Sequence, residues 1–124
     1  MSDELSRLPP NVQERLLRLQ QLQQTLQSIL AQKQQVEMEK TEVEQTIAEL
    51  QKTAEDAVIY KAAGSLLVKA EKPKVTEVLV ERKELLDTRS TVLARQEERM
   101  RSQIKEAQTK LQEDLSPVSQ PPTS

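Results

Sequence analysis

Apolar residues recur at seven-residue intervals along two long stretches of the chain. In the first stretch they form two rows, one of Val12, Leu19, Leu26 and Ile47 and one of Leu22, Ile29, Val36, Val43 and Leu50. Rows with this spacing make one face of an α-helix, the a and d positions of a coiled coil. Leu16 and Leu30 widen the face. Lys33 and Lys40 interrupt it, and we expect them to pack their stems and keep their ammonium groups in water. The pattern predicts a coiled-coil helix over 9–53.

A second stretch with helical periodicity begins near Pro73, a residue suited to the first turn of a helix, and ends before Pro117. Its apolar positions are Val75, Leu79, Leu86, Leu93, Met100, Ile104, Ala107, Leu111 and Leu115. The pattern predicts a second helix over 73–115. Because the two helical segments match in length, each can bury the apolar stripe of the other in an antiparallel helical hairpin.

Residues 54–72, between the helical segments, contain the only glycine and the only aromatic residue of the chain. The runs VIY and LLV flank Gly64, which is the pattern of a β-hairpin. A tight reversal needs a residue at positive φ, and glycine reaches that region without a penalty. We predict a three-residue loop of Ala62, Ala63 and Gly64. This register gathers six apolar residues on one face, namely Val58, Tyr60, Ala62, Leu66, Val68 and Ala70.

An isolated two-stranded hairpin is marginally stable in water. We therefore interpret this hairpin as an assembly module, whose strands join those of other chains in a shared sheet or barrel. The residues assigned to the module are Val58, Ile59, Tyr60, Gly64, Leu66, Leu67 and Val68.

The composition argues against several function classes. The 124 residues include no cysteine and no histidine, which removes thiolate metal sites and the commonest general base. Since a Gly-rich phosphate loop is also missing, we expect no enzyme activity, no metal and no cofactor. A net charge of -2 gives no electrostatic reason to bind nucleic acid. No apolar run reaches the ~20 residues of a membrane span, and no signal-peptide pattern is present, so we expect a cytoplasmic protein without a membrane partner.

The apolar pattern persists to both ends of the predicted arms. We expect residues 1–8 to be frayed and the Pro/Ser-rich residues 116–124 to be disordered. No third element is expected to cover the apolar side chains at these tips, which are Leu5, Leu8, Val12 and Leu16 at one end and Leu111, Leu115 and Val118 at the other. Exposed apolar groups often mark an interaction site, although frayed ends with a few leucines are common. The residues alone leave open a passive coiled-coil scaffold or tether, including a monomeric three-helix bundle with residues 58–70 helical.

The segment DAVIYKAAGSLLVKAEK, with the LPPNVQE motif before it and the RKELLDTR motif after it, resembles the beta subunits of prefoldins, in particular archaeal ones. The resemblance covers roughly residues 8–115, and a single hairpin is the beta-type pattern. It implies a mainly α fold, a long antiparallel coiled-coil hairpin whose central β-hairpin joins an oligomeric β-barrel platform. The implied hexamer has two alpha-type and four beta-type subunits. The resemblance also implies an ATP-independent chaperone that captures unfolded proteins at the arm tips and delivers them to a group II chaperonin.

Overall fold

Two long α-helices flank a two-stranded β-hairpin in the computed structural model, which describes residues 7–116. The elements are α1 (Pro10–Gln51), β1 (Ile59–Ala63), β2 (Leu66–Ala70) and α2 (Lys72–Leu115). The predicted mainly helical fold with one central hairpin is confirmed. The three-helix alternative is wrong, because most of 58–70 forms extended strands. The chain packs as two units, which we name the terminal unit (residues 7–31 and 94–116) and the hairpin unit (residues 32–93).

Helix α1 begins at Pro10, whose fixed φ suits the first helical turn and whose missing N–H needs no partner there. The carbonyl oxygen of Pro9 accepts hydrogen bonds from the backbone N–H groups of Val12 and Gln13, at 3.0 and 3.1 Å. The Gln13 side-chain amide donates to the carbonyl oxygen of Leu8 at 2.7 Å. These contacts hold the residues before the helix against its first turn.

The core of each unit consists of residues from the predicted apolar rows. The buried residues are Val12, Leu22, Ile29 and Ile104 in the terminal unit, and Val36, Leu50, Leu86 and Leu93 in the hairpin unit. The remaining seam positions are partly buried, apart from Leu115, which is exposed. The seven-residue periodicity therefore identified the faces along which the helices pack.

In the hairpin unit, polar contacts between the helices show that they run antiparallel. Ser90 donates a hydrogen bond to Glu37 at 2.9 Å, and the Lys40 ammonium lies 2.8 Å from the Asp87 carboxylate. Residue numbers therefore rise along one helix as they fall along the other. The hydrogen bond and the charge of Asp87 raise the pKa of Lys40. In the terminal unit, the Arg15 guanidinium pairs with the Asp114 carboxylate, which joins the start of α1 to the end of α2.

The β-hairpin has a different register from the predicted one. Tyr60 lies opposite Lys69 and Ala63 lies opposite Leu66, so the loop contains two residues, Gly64 and Ser65, instead of three. Gly64 has a φ of 63°, as predicted, and Ser65 has no positive φ. This combination matches a type II′ turn, whose twist suits antiparallel strands and which favours glycine at its first central position. The expected all-apolar face is therefore wrong, since Lys69 shares a face with Tyr60.

The base of the hairpin is tied to both helices by local hydrogen bonds. The Thr53 hydroxyl donates to the carbonyl oxygen of Leu50 at 2.6 Å, just beyond the end of α1. The Lys72 ammonium, at the start of α2, donates to the carbonyl oxygen of Thr53 at 2.8 Å. The backbone N–H of Val75 donates to the carbonyl oxygen of Glu71 at 3.0 Å, which closes the first turn of α2. These bonds connect the chain at the base of the hairpin to the end of α1 and to the first turn of α2.

Candidate interaction surfaces

Most of the apolar side chains assigned to the hairpin module are exposed. Val58, Tyr60, Leu66, Leu67 and Val68 are between 50% and 72% exposed, and Leu67 is the most exposed large apolar residue within 7–116. Ile59 is partly buried. A single chain therefore leaves most of the hairpin's apolar surface in contact with water, which is an unfavourable arrangement for side chains of this type.

One face of the hairpin and the ends of the two helices enclose an apolar groove. The register places Ile59, Lys61, Val68 and Ala70 on the same face, and all four line the groove. The helical side of the lining consists of Thr46, Leu50, Lys74, Val75, Val78 and Leu79. The groove has a volume of about 690 Å³. Its size and its open edges make it a candidate site for side chains from another chain.

The charged residues that line this groove are mostly positive. Lys61 and Lys69 belong to the strands, Lys74 lies in the first turns of α2, and Glu71 is the only carboxylate of the lining. Among the residues that the structure describes, none of the three lysines forms an ion pair. The groove therefore carries an uncompensated positive charge beside its apolar surface.

Apolar residues of the terminal unit are exposed to different degrees. Leu115 is 52% exposed, whereas Leu8, Leu16 and Leu111 are partly buried. Val12 is only 1% exposed, so it is a core residue and offers no surface to a ligand. Two further residues of the predicted tip cluster, Leu5 and Val118, lie outside the described residues.

The sequence reasoning missed Leu17, which is 59% exposed in the terminal unit. Leu16 and Leu17 are adjacent in α1, and two successive helical residues point about 100° apart. Only one of the two can lie on the face that packs against the other helix, and in the structure Leu17 is the one exposed to solvent. A pair of neighbouring leucines in a coiled-coil helix is thus the signal that could have revealed it.

A second missed feature is an exposed apolar row on α2 in the hairpin unit. It consists of Val78, Leu85 and Val92, which lie seven residues apart and are between 45% and 56% exposed. Val78 also lines the groove, so the row begins at that surface. The same seven-residue spacing that predicted the buried seam could have revealed this second row on the neighbouring face of the helix.

Within residues 7–116, no group of three or more His, Cys, Asp and Glu side chains is arranged to hold a metal ion. The described helices also include none that is long and apolar enough to cross a membrane.

Comparison with known proteins identifies the fold and the family. The family model for prefoldin subunits matches residues 13–117, which include the hairpin, α2 and all but the first three residues of α1. The chain belongs to the prefoldin family. The beta subunit of prefoldin from Archaeoglobus fulgidus is 45% identical over 113 residues, which cover 91% of this chain and 97% of that protein. The corresponding subunit from Methanothrix thermoacetophila is 44% identical over 87% of this chain and 90% of its own length.

Solved prefoldin structures share the arrangement of two helices and a hairpin. The crystal structure of the prefoldin beta subunit from Thermococcus strain KS-1 matches with a TM-score of 0.79 and 36% identity, covering 94% of this chain and 98% of that one. The beta2 subunit from the same strain matches with a TM-score of 0.65 at 22% identity, which supports the fold alone. Membership of the prefoldin family supports a chaperone role, and its subunits suggest a complex of several chains.

Proposed function

We propose that this chain is the beta-type subunit of an ATP-independent chaperone that holds unfolded proteins and delivers them to a group II chaperonin. The observation that carries the proposal is the contrast between two buried helical seams and an exposed apolar hairpin. The helices already bury their stripes within each unit, but the hairpin leaves Tyr60, Leu66 and Leu67 in water. A chain that buries its helical seams but exposes its apolar hairpin needs partner chains at the hairpin.

Assembly through the hairpin gives these side chains a buried environment. Both edges of the two-stranded sheet are open, so strands from neighbouring subunits can extend it by main-chain hydrogen bonds. Closure into a barrel removes the open edges altogether. We propose that the hairpins of two alpha-type and four beta-type subunits form such a platform, with the helical arms extending from it.

Client capture is assigned to apolar residues of the terminal unit that are exposed or only partly buried. The proposed surface comprises Leu8, Leu16, Leu111 and Leu115 from the predicted cluster, and Leu17 in addition. Burying a leucine that is half exposed contributes on the order of 1 kcal/mol, about half the value for full burial. Contacts of this size bind weakly one at a time, so a client can leave without ATP, while several arms acting together increase the overall affinity.

The test is a pair of variants that change the same kind of surface in the two units. In the first variant, Leu17→Ser and Leu115→Ser remove the two most exposed large apolar residues of the terminal unit. In the control, Leu85→Ser and Val92→Ser remove two residues of similar exposure from the hairpin unit. Each variant is assembled with an archaeal alpha-type subunit, and its mass is measured by light scattering before use.

The readout is the aggregation of a thermally unfolding model enzyme, with and without each assembled complex and without ATP. We expect the Leu17/Leu115 variant to assemble normally and to lose most of its protection, while the control protects like the original chain. If only the control loses protection, clients bind along the arms of the hairpin unit. If the original complex itself gives no protection, the chain is a passive scaffold and the proposal is wrong.

A further inference from the structure

A small groove of the terminal unit is lined by basic side chains from both helices. It has a volume of about 180 Å³. Arg15, Arg18 and Lys110 belong to its lining, in which Glu106 is the one carboxylate. Leu22 also lines the groove and is only 4% exposed. The groove therefore combines a packed apolar side chain with several positive charges.

Two of the three cations of this groove have carboxylate partners. The Arg15 guanidinium pairs with the Asp114 carboxylate, and the Lys110 ammonium lies 3.4 Å from the Glu106 carboxylate, one turn earlier in the same helix. Arg18 is exposed and forms no ion pair with any residue of 7–116. Arg18 is therefore the cation of the groove that can pair with a ligand without giving up a partner.

The terminal unit as a whole has an excess of positive charge. Its described residues include eight cationic side chains and six carboxylates, whereas the hairpin unit includes ten cationic side chains and twelve carboxylates. The net charges are therefore +2 for the described terminal unit and -2 for the hairpin unit. Because a positive potential increases the rate of encounter with negatively charged partners, an acidic chain should bind the terminal unit in preference to the hairpin unit.

Each basic residue of the groove is next in sequence to a leucine of the proposed client surface. The pairs are Arg15 with Leu16, Arg18 with Leu17, and Lys110 with Leu111. An extended segment of four residues spans ~13 Å, so a short stretch of one client can contact members of both sets. The leucines and the cations therefore form one composite surface.

We infer that the terminal unit selects client segments that combine apolar residues with aspartate or glutamate, and that Arg18 is the main specificity-determining residue. The inference rests on the proposed function, because it takes the leucines of the terminal unit as the client surface. A client carboxylate that pairs with the exposed Arg18 stays partly hydrated, so one such contact contributes little. Several arms that hold one client add their contributions. A basic segment brings like charges together at the groove and is disfavoured.

The test uses three fluorescently labelled peptides with the same length and the same number of leucines. Their remaining residues are glutamate in the first peptide, glutamine in the second and lysine in the third. Binding to the complex assembled with an archaeal alpha-type subunit is measured by fluorescence anisotropy without ATP. Circular dichroism and light scattering show whether each variant keeps its helices and its assembly.

A variant and a matched control remove the same number of positive charges. The variant carries Arg18→Gln and Lys110→Gln. The control carries Arg89→Gln and Lys52→Gln, which lie in the hairpin unit. Each pair consists of an exposed arginine without an ion pair in 7–116 and an exposed lysine that pairs with a nearby glutamate of the sequence. The two proteins therefore differ in where the charge is lost.

At about 50 mM salt, we expect the original complex to bind the glutamate peptide about three- to tenfold more tightly than the glutamine peptide, and the lysine peptide most weakly. In the Arg18/Lys110 variant, the glutamate peptide should bind like the glutamine peptide, whose own binding stays unchanged. The control should keep the original preference. Near 1 M salt the preference should largely disappear, because charges more than ~3 Å apart are then screened.

Three results would overturn the inference. The original complex could bind all three peptides equally, including not at all, which would mean that client charge plays no part. The Arg18/Lys110 variant could keep the preference, or the control could lose it to the same extent, which would mean that Arg18 does not determine it. The proposed function would stand in each case, because protection of the unfolding enzyme is measured separately on the assembled complex.

Discussion

Two neighbouring leucines of α2 offer a sharp test of how the hairpin unit is packed. Leu86 is 0% exposed, whereas Leu85, the preceding residue, is 53% exposed. Both belong to the same helix and can be changed in the same way, to alanine. The two substitutions remove the same atoms, have the same effect on helix propensity, and differ only in what surrounds the side chain.

The expected magnitudes follow from the burial of each side chain. Leu86→Ala removes a fully buried side chain and leaves a cavity, which lowers the free energy of unfolding by about 2–5 kcal/mol. Leu85→Ala removes a side chain that is about half exposed, so the loss is on the order of 1 kcal/mol or less. The gain in helix propensity from alanine offsets a few tenths of a kcal/mol in both variants. The difference between the variants should therefore be at least about 1 kcal/mol.

Urea denaturation of the isolated chain, followed by far-ultraviolet circular dichroism at one protein concentration, measures both values. The helices of the original chain provide the signal, and a change in midpoint without a change in slope reports stability. Equal losses for the two variants would refute the assignment of Leu86 to the core and of Leu85 to the surface. A larger loss for Leu85→Ala would mean that α2 is rotated relative to the structure.

Two further predictions concern the turn and the seam lysine. Gly64 has room for a side chain, but its φ of 63° lies in a region that β-branched residues rarely adopt. Gly64→Val should therefore weaken the hairpin by about 1–2 kcal/mol, and Gly64→Asn should weaken it by less. The measurement is the binding of each variant to an alpha-type subunit, which should fall while the helix content stays unchanged. Equal binding by the two variants would contradict this. Because Asp87 raises the pKa of Lys40, the ion pair stabilises the fold below the usual lysine pKa and is lost as pH rises through the raised value. The unfolding midpoints of the original chain and Lys40→Met should therefore differ by a constant amount from neutral pH to about pH 9. At higher pH this difference should become smaller, because the ion pair is lost. A difference that stays the same at every pH would contradict the prediction.

The helical seams could be predicted from the sequence because two requirements coincide along them. A helix must place its buried residues at the spacing of its own turn, and each unit must bury apolar surface against the facing helix. The residues that satisfy both, such as Leu22, Val36 and Leu86, are therefore visible in the sequence and buried in the structure. Leu17 and Leu85 show the limit of this prediction, because they are apolar residues of the helices that remain exposed. A periodic row of apolar residues does not show how many neighbouring helices cover the helix that carries it.

The register of the hairpin could not be derived in the same way. The prediction of a three-residue loop assumed that one face of the hairpin is buried and must be apolar, yet both faces are largely exposed in the single chain. With little burial to select a face, the turn determines the pairing, and a glycine followed by a serine fits a two-residue type II′ loop. The error came from assuming that one face of the hairpin must be entirely apolar.

The corrected register changes what the hairpin can do. In the predicted register, Lys61 and Lys69 would have shared one face and left the other free of charge. In the observed register, each face of the hairpin carries one lysine among apolar residues, with Lys61 beside Val68 and Lys69 beside Tyr60. A neighbouring subunit that covers either face must therefore accommodate an ammonium group as well as apolar side chains. The glycine turn thus influences which partners the chain accepts, because it determines the face on which each lysine lies.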